Sequence, residues 1–152
     1  MRLSPHFFLS ELVASTTADL LHLDNTPAPE LLPRLILLAE MLERIRSTLN
    51  VPIIITSGYR SPAVNSAVGG VTSSAHTKGH AADFVAPRYG TASAVAATLA
   101  PLVSVLGIGQ IILEGVKGRQ WVHVSTHPPE HAINRVLTIT DAGVAVGIVG
   151  LS

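Results

Sequence analysis

Two histidines and one aspartate stand at separations that restrict how this chain can fold. His76 and Asp83 flank a glycine-containing segment, and His123 follows much later in the chain. Imidazole nitrogens and carboxylate oxygens are zinc ligands, and three of them leave a fourth position open for water. The pKa of such a water falls to about 7, which makes hydroxide available at neutral pH. The pattern therefore predicts a metal centre built from a loop and two strands, and it indicates hydrolytic chemistry.

Each of these residues also has a simpler interpretation. His76 could cap a loop, Asp83 could form an Asx turn, and His123 could be a half-buried strand histidine. His80 competes as a ligand, because it stands four residues after His76, the spacing that places two histidines on one helix face. Gly79 argues against a helix here, so we interpret His80 as a loop residue near the cleft. The remaining histidines are predicted to face solvent: His6, His22, His127 and His131.

The composition restricts the environment and the partners of the chain. There is no cysteine, so a metal site must use nitrogen and oxygen ligands. Ten basic and ten acidic residues cancel, and we expect no nucleic-acid partner. No segment reaches the roughly 18 uninterrupted apolar residues of a membrane span. The start of the chain lacks a secretory apolar core, so we expect synthesis in the cytosol and delivery to any external substrate by other means.

Periodicity and turn residues predict a mixture of helices and strands. Ser10 is expected to cap a short helix. Leu31 to Leu49 repeats apolar residues every three and four positions, as is typical of a helix with one buried face. The further predictions are a buried strand at 51–56, a long loop over 57–80, a strand at 81–85, a helix at 91–102, a hairpin of 108–113 with 121–125, and one or two edge strands within 135–149.

These elements predict a single α+β domain over residues 1–152, a length that can fold without disulfides. We expect the N-terminal helices to pack on one face of a small, mainly antiparallel sheet. The metal cleft is expected on the other side of that sheet. We expect the protein to be a monomer.

The residues around the candidate ligands resemble a known family. The segment from Ser74 to Asp83, followed later by Trp121-Val122-His123, is similar to the zinc D-alanyl-D-alanine carboxypeptidases. That family includes VanX- and VanY-type peptidases and phage endolysins, and it shares its fold with the hedgehog signalling domain. Residues 8–12, 57–61 and 121–125 resemble the short phage and prophage branch in particular.

The resemblance implies a zinc ion held by His76, Asp83 and His123, with Arg60 near the substrate and an acidic residue as general base. Many members of the family place this acid three residues before the last histidine. Here that residue is Gln120. An amide cannot accept a proton near pH 7, so another residue must be the base or the protein is not a working peptidase.

Glu114 is the candidate replacement for the missing acid. If the predicted hairpin pairs Leu113 with Val122, then Ile112 faces His123 and Glu114 lies on the same side of the sheet. A shift of one residue in the register would turn Glu114 away from the site. The alternative is a solvated hairpin glutamate.

Other candidate site residues have both a functional and a structural interpretation. The Arg60 guanidinium can hold a carboxylate or stabilise an oxyanion, or it can form a surface ion pair. Ser74 is expected either to bind a peptide and orient its neighbours or to be a simple loop hydroxyl. Tyr59 can face the substrate or pack in the core. Trp121 is expected in the core or in the cleft wall.

The resemblance implies zinc-dependent hydrolysis of peptide bonds in peptidoglycan stem peptides, by a carboxypeptidase or by an endolysin-like endopeptidase. It also implies action at the cell wall or in the periplasm, after release as a phage lysin or as a virion component. The alternative is a phage structural or tail module that keeps the fold and the metal but cleaves weakly or not at all. The glutamine at position 120 permits this alternative, since fold alone does not decide activity.

Overall fold

A computed structural model of the chain describes residues 1–149, and it has one six-stranded sheet with helices. The helices are α1 (Leu9–Val13), α2 (Thr16–Leu21), α3 (Leu32–Leu49), α4 (Pro62–Ala67), α5 (Ala92–Leu99) and α6 (Val103–Leu106). The strands are β1 (Ile54–Ser57), β2 (Ala81–Val85), β3 (Gln110–Val116), β4 (Arg119–Ser125), β5 (Val136–Thr140) and β6 (Gly143–Val146). Short 3-10 turns occupy Pro29–Leu31, Ala75–Lys78, Ala100–Leu102 and Ala132–Arg135.

The strands lie in the order β1, β2, β4, β3, β5, β6. All neighbours are antiparallel except β3 and β5, which run parallel. The predicted hairpin has the expected register, with Leu113 opposite Val122 and Ile112 opposite His123. The α+β class and the mainly antiparallel sheet are therefore confirmed.

Helix α3 supplies the largest helical contribution to the core. Its apolar face is fully buried, as the three-and-four periodicity predicted, through Leu35, Leu38, Ala39, Met41, Leu42 and Ile45. These side chains share one hydrophobic cluster with one face of the central strands, formed by Ala82, Phe84, Ile111, Leu113, Val122 and Val124. Within residues 1–149, none of the helices has the length and hydrophobicity needed to cross a membrane.

The alternation of the central strands separates core residues from polar ones. Successive side chains of a strand point to opposite faces of the sheet. Since Phe84 and Val122 enter the core, Asp83 and His123 lie on the opposite face, and Glu114 lies there with them. We call this the site face of the sheet.

Several local predictions were wrong. Helix α1 begins at Leu9 rather than after a Ser10 cap, because the Glu11 carboxylate accepts a hydrogen bond from the Phe8 N–H at 3.2 Å. The strand predicted at 51–56 begins at Ile54, and it is a half-exposed edge strand, since only β2 pairs with it.

The segment predicted as one long loop over 57–80 contains helix α4 and a 3-10 turn. Ser61 caps α4 by accepting a hydrogen bond from the Val64 N–H at 3.2 Å, and Pro62 occupies the first helical position. Serine followed by proline is a recognised helix start, and this signal outweighs the loop-like composition.

Glu43 on α3 binds the N-terminal segment through Ser4 and His6. Its carboxylate accepts a hydrogen bond from the Ser4 hydroxyl at 2.8 Å, and His6 Nδ1 lies 2.9 Å from its second oxygen. Burial opposes the charged form, but hydrogen bonds with His6 and Ser4 hold the pKa of Glu43 below its ordinary value. The interaction therefore stabilises the fold above the ordinary glutamate pKa and is lost as the pH falls through the lowered value.

Replacing Glu43 by alanine is expected to lower the free energy of unfolding by about 1–3 kcal/mol at pH 7, because charged hydrogen bonds of this kind are lost. Chemical denaturation at pH 7 and at pH 3 measures the effect, which should shrink at the lower pH. Glu40→Ala on the exposed side of the same helix is the control. Equal losses for both variants would contradict the assignment.

Candidate metal centre

The structure brings His76, Asp83 and His123 together on the site face. One ligand atom from each lies within 4.8 Å of the other two, and all three residues are buried. His76 Nε2 is 3.3 Å from Asp83 Oδ1, and His123 Nδ1 is 2.9 Å from the same oxygen. The two imidazole rings meet edge to face, with their centroids 5.1 Å apart. Three donor atoms thus face a common point.

His76 lies on the 3-10 turn Ala75–Lys78, and the backbone positions it. The Ser74 hydroxyl accepts a hydrogen bond from the His76 N–H at 3.3 Å, and Gly79 ends the turn with a left-handed φ of 73°. The His76 carbonyl accepts a hydrogen bond from the Arg60 N–H at 3.2 Å. Ser74 therefore holds the start of the turn, and the hydrogen bond with Arg60 holds the turn against the segment that follows β1.

The ring of His76 is fixed by a second contact. Its Nδ1 lies 2.7 Å from the Gly58 carbonyl oxygen. A carbonyl only accepts, so Nδ1 carries the proton, and in the neutral ring Nε2 keeps its lone pair. That lone pair is on the nitrogen nearest Asp83. Metal-bound histidines commonly have such a carbonyl partner, which sets both the tautomer and the orientation of the ring.

Asp83 and His123 are placed by strand register. They are direct partners across β2 and β4, and Ser57 on β1 is the partner of Asp83 on its other side. The two Asp83 oxygens have different surroundings. Oδ1 faces both imidazoles, whereas Oδ2 is 3.6 Å from Arg60 Nη2. Oδ1 is therefore the oxygen available to a metal.

The carboxylate of Asp83 remains ionised in this environment. Burial alone would raise its pKa, but hydrogen bonds that His123 and His76 donate to it when their rings are protonated, and the positive charge of those rings, hold that pKa well below its usual range. Asp83 is thus a buried anion beside two imidazoles. Buried charges of this kind are normally paired or coordinate a metal.

Glu114 lies on the site face at the edge of this cluster. Its Oε1 is 3.9 Å from His123 Nδ1, and its side chain is 26% exposed, against 9% for His123. Burial and then the negative charge of Asp83 raise the pKa of the Glu114 carboxyl. The structure therefore orients Glu114 toward the three clustered donors, as expected from the Leu113–Val122 register.

Gln120, at the position where the resembled family often has its acid, lies on the other face of the sheet. It is the partner of Gly115 in the β3–β4 ladder, one residue out of phase with the Glu114–Trp121 pair. Strand alternation turns its side chain away from His123. An acid at position 120 in this regular hairpin would not reach the site.

The donor set fits zinc. Two imidazole nitrogens and one carboxylate oxygen are a common ligand set of catalytic zinc, and the chain offers no thiolate. The His76–Gly58 contact supplies the outer support that such sites use, and Arg60 supports the second oxygen of Asp83. The residues present therefore match the metal that their spacing predicted.

Arg60 and Tyr59 line a cavity of about 250 Å³, and Arg60 is the residue of its wall that also contacts Asp83. The side chain of Arg60 is 20% exposed, and its Nε donates to the Ser57 hydroxyl at 3.2 Å. Tyr59 is 5% exposed and contributes to the hydrophobic core as well as to the cavity wall. Other hydroxyl groups of this wall come from Ser15, Thr16, Thr17, Thr56 and Ser57.

His80 does not join the ligand cluster. Its ring stacks on that of His127, with centroids 5.1 Å apart, and Thr126 Oγ1 lies 3.4 Å from its Nδ1. Burial lowers the pKa of His80, and the positive charge of Arg34 adds to this effect. His127 is exposed, as predicted, and so are His6, His22 and His131.

Two supporting residues were not foreseen from the sequence. Gly58 provides the carbonyl for His76, and Ser57 contacts Arg60. The Ser57-Gly58 pair at the end of β1 indicated that another segment could pack closely against the backbone there, but the local sequence does not say which segment.

Trp121 is half-buried on the site face. Its indole N–H is buried without a hydrogen-bond partner among residues 1–149.

Comparison with known protein families decides the class of this site. The sequence profile described as Peptidase M15 matches residues 5–125. The chain belongs to the Peptidase M15 family. A search of curated proteins finds no significant match.

As an M15 peptidase, the protein is assigned to a family of metal-dependent hydrolases of peptide bonds. The matched range contains all three clustered donors, together with Arg60 and Glu114. It ends at Ser125, the last residue of β4, so β5 and β6 of this M15 peptidase lie beyond the match.

Gly58 offers a prediction about the support of the candidate metal ligands of this M15 peptidase. A Cβ on this residue would lie 2.3 Å from the Leu12 carbonyl oxygen, so the backbone would have to move. Because the same residue holds His76, we expect Gly58→Ala to weaken zinc affinity by about 10- to 100-fold.

Competition titration against a chromogenic chelator measures the zinc affinity of this variant. Gly115→Ala is the control, since its added Cβ would meet no atom closer than 3.4 Å. Unchanged affinity in a folded Gly58→Ala protein would contradict the role assigned to the Gly58 carbonyl.

Proposed function

We propose that this M15 peptidase hydrolyses peptide bonds in bacterial peptidoglycan stem peptides and uses zinc for this reaction. The observation that supports the proposal best is the convergence of His76, Asp83 and His123, with Glu114 beside them on the site face. The cell-wall substrate rests on the resemblance of the ligand motif to the D-alanyl-D-alanine carboxypeptidases. Both terminal trimming and internal cleavage are compatible with that resemblance.

In this proposal the three donors hold the metal through His76 Nε2, Asp83 Oδ1 and His123 Nδ1. When bound there, zinc supplies a Lewis acid that activates water and polarises the scissile carbonyl. The Gly58 carbonyl keeps His76 in the required tautomer, and Arg60 keeps Asp83 oriented through Oδ2.

Glu114 acts as general base and then as general acid. Its Oε1 takes the proton of the attacking water and delivers it to the leaving amine. The partial exposure of its carboxyl allows contact with a substrate. The pKa of Glu114 is raised toward neutral pH, which suits a group that first accepts a proton and then returns it. Glu114 thereby replaces the acid that is missing at Gln120.

Arg60 binds a negatively charged group of the substrate or of the transition state. Its guanidinium contacts the Asp83 carboxylate, and Arg60 also lines the hydroxyl-rich cavity. A guanidinium can bind a carboxylate with two parallel hydrogen bonds. Tyr59 contributes to the wall of this subsite, while Ser74 acts by positioning His76 rather than by contact with substrate.

The site of action follows from the proposed substrate. Peptidoglycan lies outside the cytoplasmic membrane, so the enzyme must be delivered there after synthesis. Release as a phage lysin or transport within a virion would achieve this. Fractionation of infected cells and virions with an antibody to the protein tests the delivery route.

Incubation of the zinc-loaded protein with purified peptidoglycan tests the proposed function. New amine termini, identified by mass spectrometry of the released fragments, are the expected result, and the fragment masses locate the cleaved bond. No release at any zinc concentration would contradict the proposal and favour a phage structural or tail module that retains the fold and the metal.

A further inference from the structure

Four apolar side chains continue the site face beyond β3 and β4, the strands that carry Glu114 and His123. They are Leu137 and Ile139 on β5 and Val144 and Val146 on β6, and we call them the apolar shelf. Val144 is 67% exposed and Val146 is 60% exposed, while Leu137 and Ile139 are half-buried. The exposed valines are adjacent to each other on one face, so they form part of a continuous surface rather than isolated apolar residues.

Strand register connects the shelf directly to the candidate metal centre. Ile139 is the partner of Glu114 across β3 and β5, and Val144 is the next partner of Ile139. A second series of partners runs beside this one: His123 pairs with Ile112, Ile112 with Leu137, and Leu137 with Val146. Directly paired residues of neighbouring strands share a face of the sheet. The shelf and Glu114 therefore form one surface.

The shelf belongs to the part of the chain that the family profile does not cover. The profile ends at residue 125, whereas the strands that carry the shelf span Val136–Thr140 and Gly143–Val146. Strand β5 joins the sheet in parallel orientation beside β3, which places this additional hairpin on the Glu114 side of the site. Any specificity that the shelf confers is then a property of this chain rather than of the matched region.

The position of the shelf identifies its occupant. A second copy of the protein seated on this face would lie next to Glu114 and His123 and would obstruct access to them. A peptide bound at the site lies on the same face of the sheet. The occupant that suits both the apolar shelf and an accessible active site is therefore an extension of the peptide substrate.

We infer that the apolar shelf binds apolar residues of the substrate three and four positions from the cleaved bond. The inference rests on the proposed function. Neighbouring strands are about 4.8 Å apart, which places β5 about 10 Å and β6 about 14 Å from β4. An extended peptide rises about 3.3 Å per residue, so its third and fourth residues reach these two strands. The shelf thus favours bonds with at least three residues on one side, as in internal cleavage of a chain.

A peptide length series tests this inference. Synthetic peptides are built around the bond that mass spectrometry identifies, with one to four alanine residues on one side and then on the other. We expect kcat/KM to increase at the third residue on one side only.

The double variant Val144→Thr, Val146→Thr tests the shelf residues themselves. It keeps the β-branched shape and removes two exposed methyl groups. It is expected to lower kcat/KM for the longest peptides by about tenfold and to leave short peptides unchanged.

Val105→Thr is the matched control, because Val105 is 80% exposed on α6, away from the sheet. An equal effect of both variants, or an absence of any length dependence in the wild type, would overturn the inference. Loss of a wild-type dimer in the shelf variant, measured by analytical ultracentrifugation, would also overturn it and favour a second copy as occupant.

Binding measurements separate this inference from the proposed function. The Glu114→Gln protein is titrated with fluorescein-labelled oligoalanines of increasing length, whose design needs no known cleavage site, and fluorescence anisotropy reports binding without cleavage. Tighter binding from the third residue onward, lost in the Val144→Thr, Val146→Thr background, supports the shelf even if no peptidoglycan is cleaved. Peptidoglycan cleavage without length-dependent binding would refute the shelf and leave the proposed function intact.

Discussion

Asp83→Ala is expected to remove bound zinc and hydrolytic activity together. Asp83 supplies the one carboxylate of the proposed ligand set, and its Oδ1 lies within 3.3 Å of both His76 and His123. Removal of a partner that merely supports a ligand costs about 10- to 100-fold in metal affinity or activity, and loss of the ligand itself should cost more. Metal analysis of the purified protein and fragment release from peptidoglycan measure the two effects.

His80→Ala provides the control for the loss of Asp83. His80 stacks on His127 and lies outside the ligand cluster, so this variant should retain zinc near one per chain. Circular dichroism of both variants establishes that they are folded. Loss of zinc from His80→Ala, with retention by Asp83→Ala, would contradict the ligand assignment.

Glu114→Gln is expected to lower kcat by about 10²- to 10⁴-fold while zinc binding persists, because the change removes the proposed general base and keeps the three proposed ligands. The amide keeps the size of the side chain and cannot take a proton from water. The effect should appear in kcat more than in KM. Steady-state cleavage of a synthetic stem peptide, together with metal analysis, checks this prediction.

Gln120→Glu is the control for the position of the base. Gln120 lies on the face of the sheet opposite His123, so an acid there should neither raise wild-type activity nor rescue Glu114→Gln. Restoration of activity by the double change would mean that the base acts from position 120. A Glu114→Gln protein with full activity would show that Glu114 is only a solvated hairpin residue.

Much of the site could be predicted because it depends on strand periodicity. The positions of Asp83 and His123 require only that β2 and β4 be neighbours, and the orientation of Glu114 requires only the Leu113–Val122 register. Patterns that repeat every two residues carry this information in the sequence. The same alternation places Gln120 on the face opposite Glu114.

The parts that were missed depend on contacts between segments far apart in the chain. The Gly58 carbonyl meets His76 because the chain after β1 passes beside the turn Ala75–Lys78, and no local pattern encodes that path. The parallel pairing of β5 with β3 likewise depends on how the chain returns after β4. Helix α4 did have a local signal in Ser61 and Pro62, but its six residues are too few for a clear apolar period.

The central claim is that one metal ion binds between His76, Asp83 and His123. A crystal structure of the zinc-loaded protein, with data collected on both sides of the zinc absorption edge, tests it most directly. The account predicts one anomalous peak about 2.0–2.2 Å from His76 Nε2, Asp83 Oδ1 and His123 Nδ1. It also predicts the Glu114 carboxylate beside the open coordination position. A peak at His80 and His127, or no peak among the three proposed ligands, would contradict it.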